Sequence, residues 1–130
     1  MSKLENFEKM VATMHRAERE MVFQNEFYRN GVVNLFNLTF EMAWKAMKEW
    51  NESEGIVSNT IESPRSTIKT SFQFGLIATD DELIWLDMLD SRNHLIHIYG
   101  EDATNRNVMR IFDKFIPAFD RLLAKLKRKE

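Results

Sequence analysis

The sequence predicts an all-α protein, a bundle of about five mostly antiparallel helices. Only four glycines and two prolines punctuate its 130 residues, too few turn residues for an all-β fold. Gly31, Gly55, Gly75 and Gly100 cut the chain into five segments of helix length. Within each segment apolar residues recur at steps of three and four, the period of a helix with one buried face. Hydrophobic residues make up 44% of the chain and aromatic residues 12%, ample for a domain of this size, which buries roughly two-thirds of its extended surface. The expectation is a single domain over residues 1–130.

The first segment runs from about Lys3 to Gln24, with Leu4, Phe7, Val11, Met14, Ala17 and Met21 on one stripe. The second runs from about Val32 to Glu54. Val33, Phe36, Phe40, Ala43, Met47 and Trp50 form one stripe there, and Leu35, Leu38, Met42 and Ala46 form another. A helix apolar on two sides is central in its bundle or shared with a second subunit. Asn51 to Glu62 is the only extended linker.

Ser63-Pro64 opens the third segment, serine as the cap and proline at the first helical position, where a missing N–H costs nothing. That helix ends at Phe74-Gly75. Thr79-Asp80-Asp81-Glu82 has the pattern of a capping box, with extra acid at the positive helix end, so the fourth helix starts there. It runs to about Tyr99 and closes at Gly100. The fifth begins near Asp102 and carries Val108, Ile111, Phe112, Phe115, Ile116, Phe119, Leu122, Leu123 and Leu126. Pro117 falls inside it and predicts a kink rather than a stop, because the apolar pattern continues in phase beyond it.

Composition excludes several functions. Without cysteine the chain has no disulfide, thiol catalysis, zinc finger or iron–sulfur cluster. Eighteen basic residues against twenty acidic ones leave a net charge of −2, unlike a general nucleic-acid coat. The longest apolar run is Leu83 to Leu86, far short of the ~20 residues of a membrane span. The N-terminus lacks the apolar core of a signal peptide, so the expectation is a cytoplasmic protein without membrane contact. There is no Gly-rich phosphate loop, no Gly-x-Ser-x-Gly elbow and no His-Glu-x-x-His motif. His94 and His97 share a helical face, but no carboxylate stands at a matching step. Neither metal nor cofactor is expected. The methionines are adaptable core filler.

The chemistry concentrates in Asp90-Ser91-Arg92-Asn93-His94-Leu95-Ile96-His97-Ile98-Tyr99-Gly100, at the end of an otherwise apolar helix. Arg92 and Tyr99 share a face, whereas His97 lies about 140° around from Arg92. Converging the guanidinium and imidazole on one atom requires long side-chain reach, fraying near Gly100, or a second copy of the helix across a dimer axis. Arginine can hold a phosphate oxygen and stabilise charge that builds in a transition state, and histidine can move a proton at neutral pH. Together they suffice for metal-free RNA cleavage, with the ribose 2′-hydroxyl attacking. The competing reading is structural: Arg92 pairs with Asp90 or with an acid of a neighbouring helix, and His97 and Tyr99 cap a helix end.

Other candidates are fewer. Glu41 and Lys45 stand four apart in the order that favours a helical ion pair, with Trp44 in the core between them. Arg65 follows the Ser63-Pro64 cap and could hold an anion or form a surface pair. Arg121, Lys125, Lys127, Arg128 and Lys129 make a basic C-terminal end that suits a helix C-terminus and offers an RNA-steering alternative. His15, beside Arg16 and Arg19, reads as a surface residue.

Arg92-Asn93-x-x-x-His97-x-Tyr99 resembles the Arg-x4-His-x-Tyr signature of the HEPN superfamily. In order, Leu35-Phe36-Asn37-Leu38-Thr39-Phe40-Glu41-Met42-Ala43-Trp44-Lys45, Ser63-Pro64-Arg65, Phe74-Gly75-Leu76-Ile77 and Trp85-Leu86-Asp87-Met88-Leu89 resemble blocks of its HepT-like, nucleotidyltransferase substrate-binding branch. The resemblance covers about residue 30 to the C-terminus. It implies a homodimer whose signature helices meet at a shared cleft, and a minimal nucleotidyltransferase as partner. One implied function is a toxin of a toxin–antitoxin pair, a metal-independent endoribonuclease silenced when the antitoxin partner attaches AMP to the signature tyrosine. The alternative is a non-catalytic nucleotide- or substrate-binding subunit of a two-component transferase. On the first, Arg92 and His97 are the catalytic pair, Asn93 supports the phosphate or the arginine, and Tyr99 is the AMP acceptor. A supporting role at the cleft is the alternative to the ion pair for Glu41 and Lys45, which sit in the best-matching block after the signature.

Overall fold

The computed structural model describes residues 2–56, 63–95 and 101–128, with side chains at 3–56, 63–92 and 105–128. Every regular element among them is helical: α1 (Ser2–His15), α2 (Arg19–Gln24), α3 (Glu26–Ser53), α4 (Pro64–Gln73), α5 (Glu82–Leu95), α6 (Glu101–Arg110) and α7 (Ile116–Arg128). A 3₁₀ turn (Thr79–Asp81) leads into α5 and a π turn (Ile111–Phe115) joins α6 to α7. The expected all-α fold is therefore found.

The first boundary differs from the expectation. The first segment breaks at residues 16–18, and the long second helix starts at Glu26, so Gly31 lies inside α3 instead of ahead of it. Asn25 explains this: its backbone is extended and its Oδ1 accepts the Tyr28 N–H at 3.0 Å, which is N-capping. The Tyr28 hydroxyl in turn accepts the Glu18 N–H at 2.8 Å, which fixes the break before α2. The Arg29 guanidinium, buried nearby, donates to the Val22 carbonyl at 3.5 Å.

Two later stops fall where glycine was read. At Gly55 (φ +82°) the Gly55 N–H reaches the Glu52 carbonyl and the Ile56 N–H reaches that of Asn51; at Gly75 (φ +83°) the partners are Phe72 and Ser71. Both are Schellman closures, which need a left-handed residue that glycine supplies without strain. Ser63 caps α4 in a capping box with Ser66, Pro64 following it as expected. The capping box expected at Thr79 does not form. The chain enters α5 through the 3₁₀ turn without a side-chain cap, and the Asp81 carboxylate is drawn inward to α7.

Just before Pro117, where the sequence predicts a kink, the helix makes a π turn in which the Ile116 N–H reaches back to the Ile111 carbonyl. Proline supplies no N–H to the preceding turn, and an extra residue in that turn is a recognised accommodation. The apolar phase survives: Ile111, Phe115, Phe119, Leu122 and Leu126 are all buried.

The core is built around aromatic rings. Phe36 stacks on Phe115 (5.2 Å between centroids, 21°), and Phe119 meets Phe7 edge-on (6.0 Å, 78°) and Trp85 likewise (5.6 Å, 68°). These contacts join α1, α3, α5 and α7 with the preferred geometry of aromatic quadrupoles. A satellite cluster of Val22, Val32 and Val108 fixes α2 and α6 to α3. The two-sided reading of α3 is half realised. Phe36, Phe40, Ala43 and Met47 are fully buried, Leu35 and Met42 sit at the core's edge, and Leu38 is 47% exposed. No helix of the described residues is long and apolar enough to cross a membrane.

Candidate functional site

Arg92 projects from α5 toward α3. Its side chain is 24% exposed, its guanidinium lies 5.4 Å from the centre of the Phe40 ring, and its Nη1 donates to Glu41 Oε1. Glu41 is held from its own helix, because its Oε2 accepts the Trp44 Nε1–H at 3.1 Å. Phe40, Glu41 and Trp44 thus form one device on α3. The ring supports the cation through its negative face, the carboxylate faces it, and the indole orients the carboxylate.

Two further pairs follow along α5. Arg110 Nη2 reaches Asp87 Oδ2 at 2.7 Å, and Arg65 Nη2 approaches Asp90 Oδ1 at 3.8 Å. Arg65 is therefore in the surface pair that was one of its two readings.

The structure brings together Arg92 and Glu41, but it separates Lys45 from them. The Glu41–Lys45 pair expected from spacing is absent. Glu41 is engaged by the Arg92 guanidinium and the Trp44 indole. Lys45 instead lines a shallow hollow of about 300 Å³ with Lys3, Trp44, Lys48, Glu49 and Glu52. Asn93 and His94 lie on the α5 backbone, but their side chains fall outside the described residues, as do His97, Tyr99 and Gly100. Phe40 and Trp44 as supports of the site were missed in the sequence. The signal was there: Glu41 and Trp44 are three apart on one helical face.

The basic C-terminal end is largely occupied by structure. Arg121 grips the buried Asp81 with two bonds, Nε to Oδ2 at 2.7 Å and Nη2 to Oδ1 at 2.9 Å. This hydrogen bonding raises the Arg121 guanidinium above its ordinary value, against the opposing effect of burial. Lys125 Nζ donates to the Gly75 carbonyl at 3.0 Å and Lys127 Nζ to Glu8 at 2.6 Å. Three of the cations offered for RNA steering thus tie α7 to the rest of the molecule, and Lys129 lies outside the described residues. His15 is exposed, as expected, and its Nε2 lies 2.7 Å from Asp120 Oδ1 of α7.

Chemically, Arg92 is an anion-binding group already oriented on an oxyanion. A carboxylate and a phosphate present similar oxygen pairs to a guanidinium, so a guanidinium held in this way is chemically able to take either. A comparison with curated proteins gives no match. A family model described as nucleotidyltransferase substrate binding protein-like matches residues 2–128. With helices as the regular elements of the described residues and this match over nearly the whole chain, the chain belongs to the nucleotidyltransferase substrate-binding-protein-like family.

Proposed function

We propose that this protein is the substrate-binding subunit of a two-component nucleotidyltransferase, a homodimer that holds a nucleotide's phosphate at Arg92 beside a minimal nucleotidyltransferase partner. The observation that carries this reading is the Phe40–Arg92–Glu41 arrangement: a half-buried guanidinium supported from below and aimed at an oxyanion. Glu41 holds the arginine in place until a phosphate displaces it. His97 and Asn93 complete the phosphate contacts, and the second protomer's helix supplies the geometry that one helix alone cannot.

A second reading rests on the intact Arg92-x4-His97-x-Tyr99 spacing. In it the dimer is a toxin that cleaves RNA without metal. The 2′-hydroxyl gives its proton to water as its oxygen bonds to phosphorus, and the 5′-oxygen leaves with a proton from His97. Arg92 stabilises the added charge on the phosphoryl oxygens. The partner then silences the toxin by transferring AMP to Tyr99.

One set of measurements tests both. AMP and ATP are titrated calorimetrically into the purified chain and its Arg92→Ala and His97→Ala variants, and each protein is incubated with RNA in EDTA. Binding weakened at least about tenfold by Arg92→Ala, with no cleavage, is the result expected of the binding subunit. Cleavage lost in both variants selects the nuclease. Unchanged binding together with cleavage that persists in both variants overturns the site.

A further inference from the structure

A cavity of about 240 Å³ lies where α7 crosses the turn between α4 and α5, lined by neither Arg92 nor Glu41. Its floor is Leu76, Ile77, Trp85 and Leu122, all 3% exposed or less. One wall is the Asp81–Arg121 pair, and Lys125 and Arg128 stand among the remaining lining. The surroundings thus hold three cations and one carboxylate, a local excess of positive charge on a chain whose net charge is −2.

The existing bonds leave that excess available. Both oxygens of Asp81 are engaged by Arg121, so its charge is answered within the wall. Lys125 gives one hydrogen to the Gly75 carbonyl and an ammonium carries three. Arg128 has no carboxylate partner among the described residues. An apolar hollow against an indole, with cationic donors beside it, has the two halves of a site for an amphipathic anion: an apolar body pocket and charged groups that fix orientation. The cavity is somewhat smaller than the ~300–1,000 Å³ of drug-sized sites, which restricts the body to a single ring or a branched aliphatic group.

We propose that this cavity binds a small free organic acid, its aromatic or branched body against Trp85 and its carboxylate held by Lys125 and Arg128. The site is separate from the Arg92 site, and its test does not depend on the function assigned there.

The probe is 3-phenylpropionate, titrated into the full chain by tryptophan fluorescence and calorimetry, with the neutral 3-phenylpropanamide and the cationic 3-phenylpropylamine as controls. Arg128→Glu reverses a charge on an exposed helical position, and Ala124→Phe fills the cavity from its wall. Circular dichroism melts establish that both variants are folded. Saturable binding of the acid is expected, at least about tenfold weaker for the amide and for Arg128→Glu, and absent in Ala124→Phe. The proposal is overturned if the acid fails to saturate by about 10 mM, if the amide binds equally well, or if folded Ala124→Phe retains binding.

Discussion

Replacing Glu41 by glutamine removes the charge that holds Arg92 while leaving an amide oxygen for the Trp44 N–H. The pair is partly exposed on both sides, 24% for Arg92 and 33% for Glu41, so it contributes no more than the ~0.2–1 kcal/mol of a solvent-screened ion pair. The Glu41→Gln variant is accordingly expected to bind AMP about two- to fivefold more tightly, with little change in melting temperature. Weaker AMP binding would mean that the carboxylate organises the site rather than competing for it. At this scale the sequence was partly legible. Arg92 and Glu41 were both recognisable as candidates, but their pairing spans 51 positions and leaves no trace in local spacing. Local spacing instead suggested Lys45, a neighbour in the same helix, whereas the carboxylate pairs with a cation from α5.

Among the helices, α3 offers the cleanest test. Gly31 lies in its first third, and a Cβ placed there meets nothing within 4 Å. Gly31→Ala should therefore stabilise the protein by about 0.5–1 kcal/mol, as a raised urea midpoint with unchanged slope. A loss of stability would show that the added methyl group disturbs the packing of α3. Gly31 also explains the misplaced first boundary. Glycine was read as punctuation, yet among the described residues only Gly55 and Gly75 have the positive φ that makes it obligatory there. The actual stop was written in Asn25 and Tyr28, whose cooperation across the turn is a tertiary fact. Ser63-Pro64, by contrast, was readable because its cap and first helical position are adjacent in the chain. Thr79 had an equally good local pattern, yet the chain makes a 3₁₀ turn there without a side-chain cap, and Asp81 is gripped by Arg121 from α7.

The molecule as a whole is gathered on a few rings. Phe119 touches Phe7, Phe36 and Trp85 and so connects three helices to its own. Phe119→Ala is expected to cost about 3–5 kcal/mol, a large part of the ~5–15 kcal/mol that holds a domain together. Urea unfolding of the variant measures this. A loss below about 1 kcal/mol would mean that the neighbouring rings collapse into the space. The all-α architecture was legible because it follows from periodicity and the scarcity of turn residues, which every segment shares. The tethering by the basic C-terminal end was not legible, because composition does not reveal that Glu8, Asp81 and the Gly75 carbonyl meet its cations. The π turn carries a wider consequence. One residue more within that loop of helix sets Val108 at the angle where Val22 and Val32 receive it. Deleting a single position there would swing everything upstream by about 100°. Any relative that keeps this architecture must therefore conserve the spacing between Val108 and Phe119 as a count, however freely the intervening letters change.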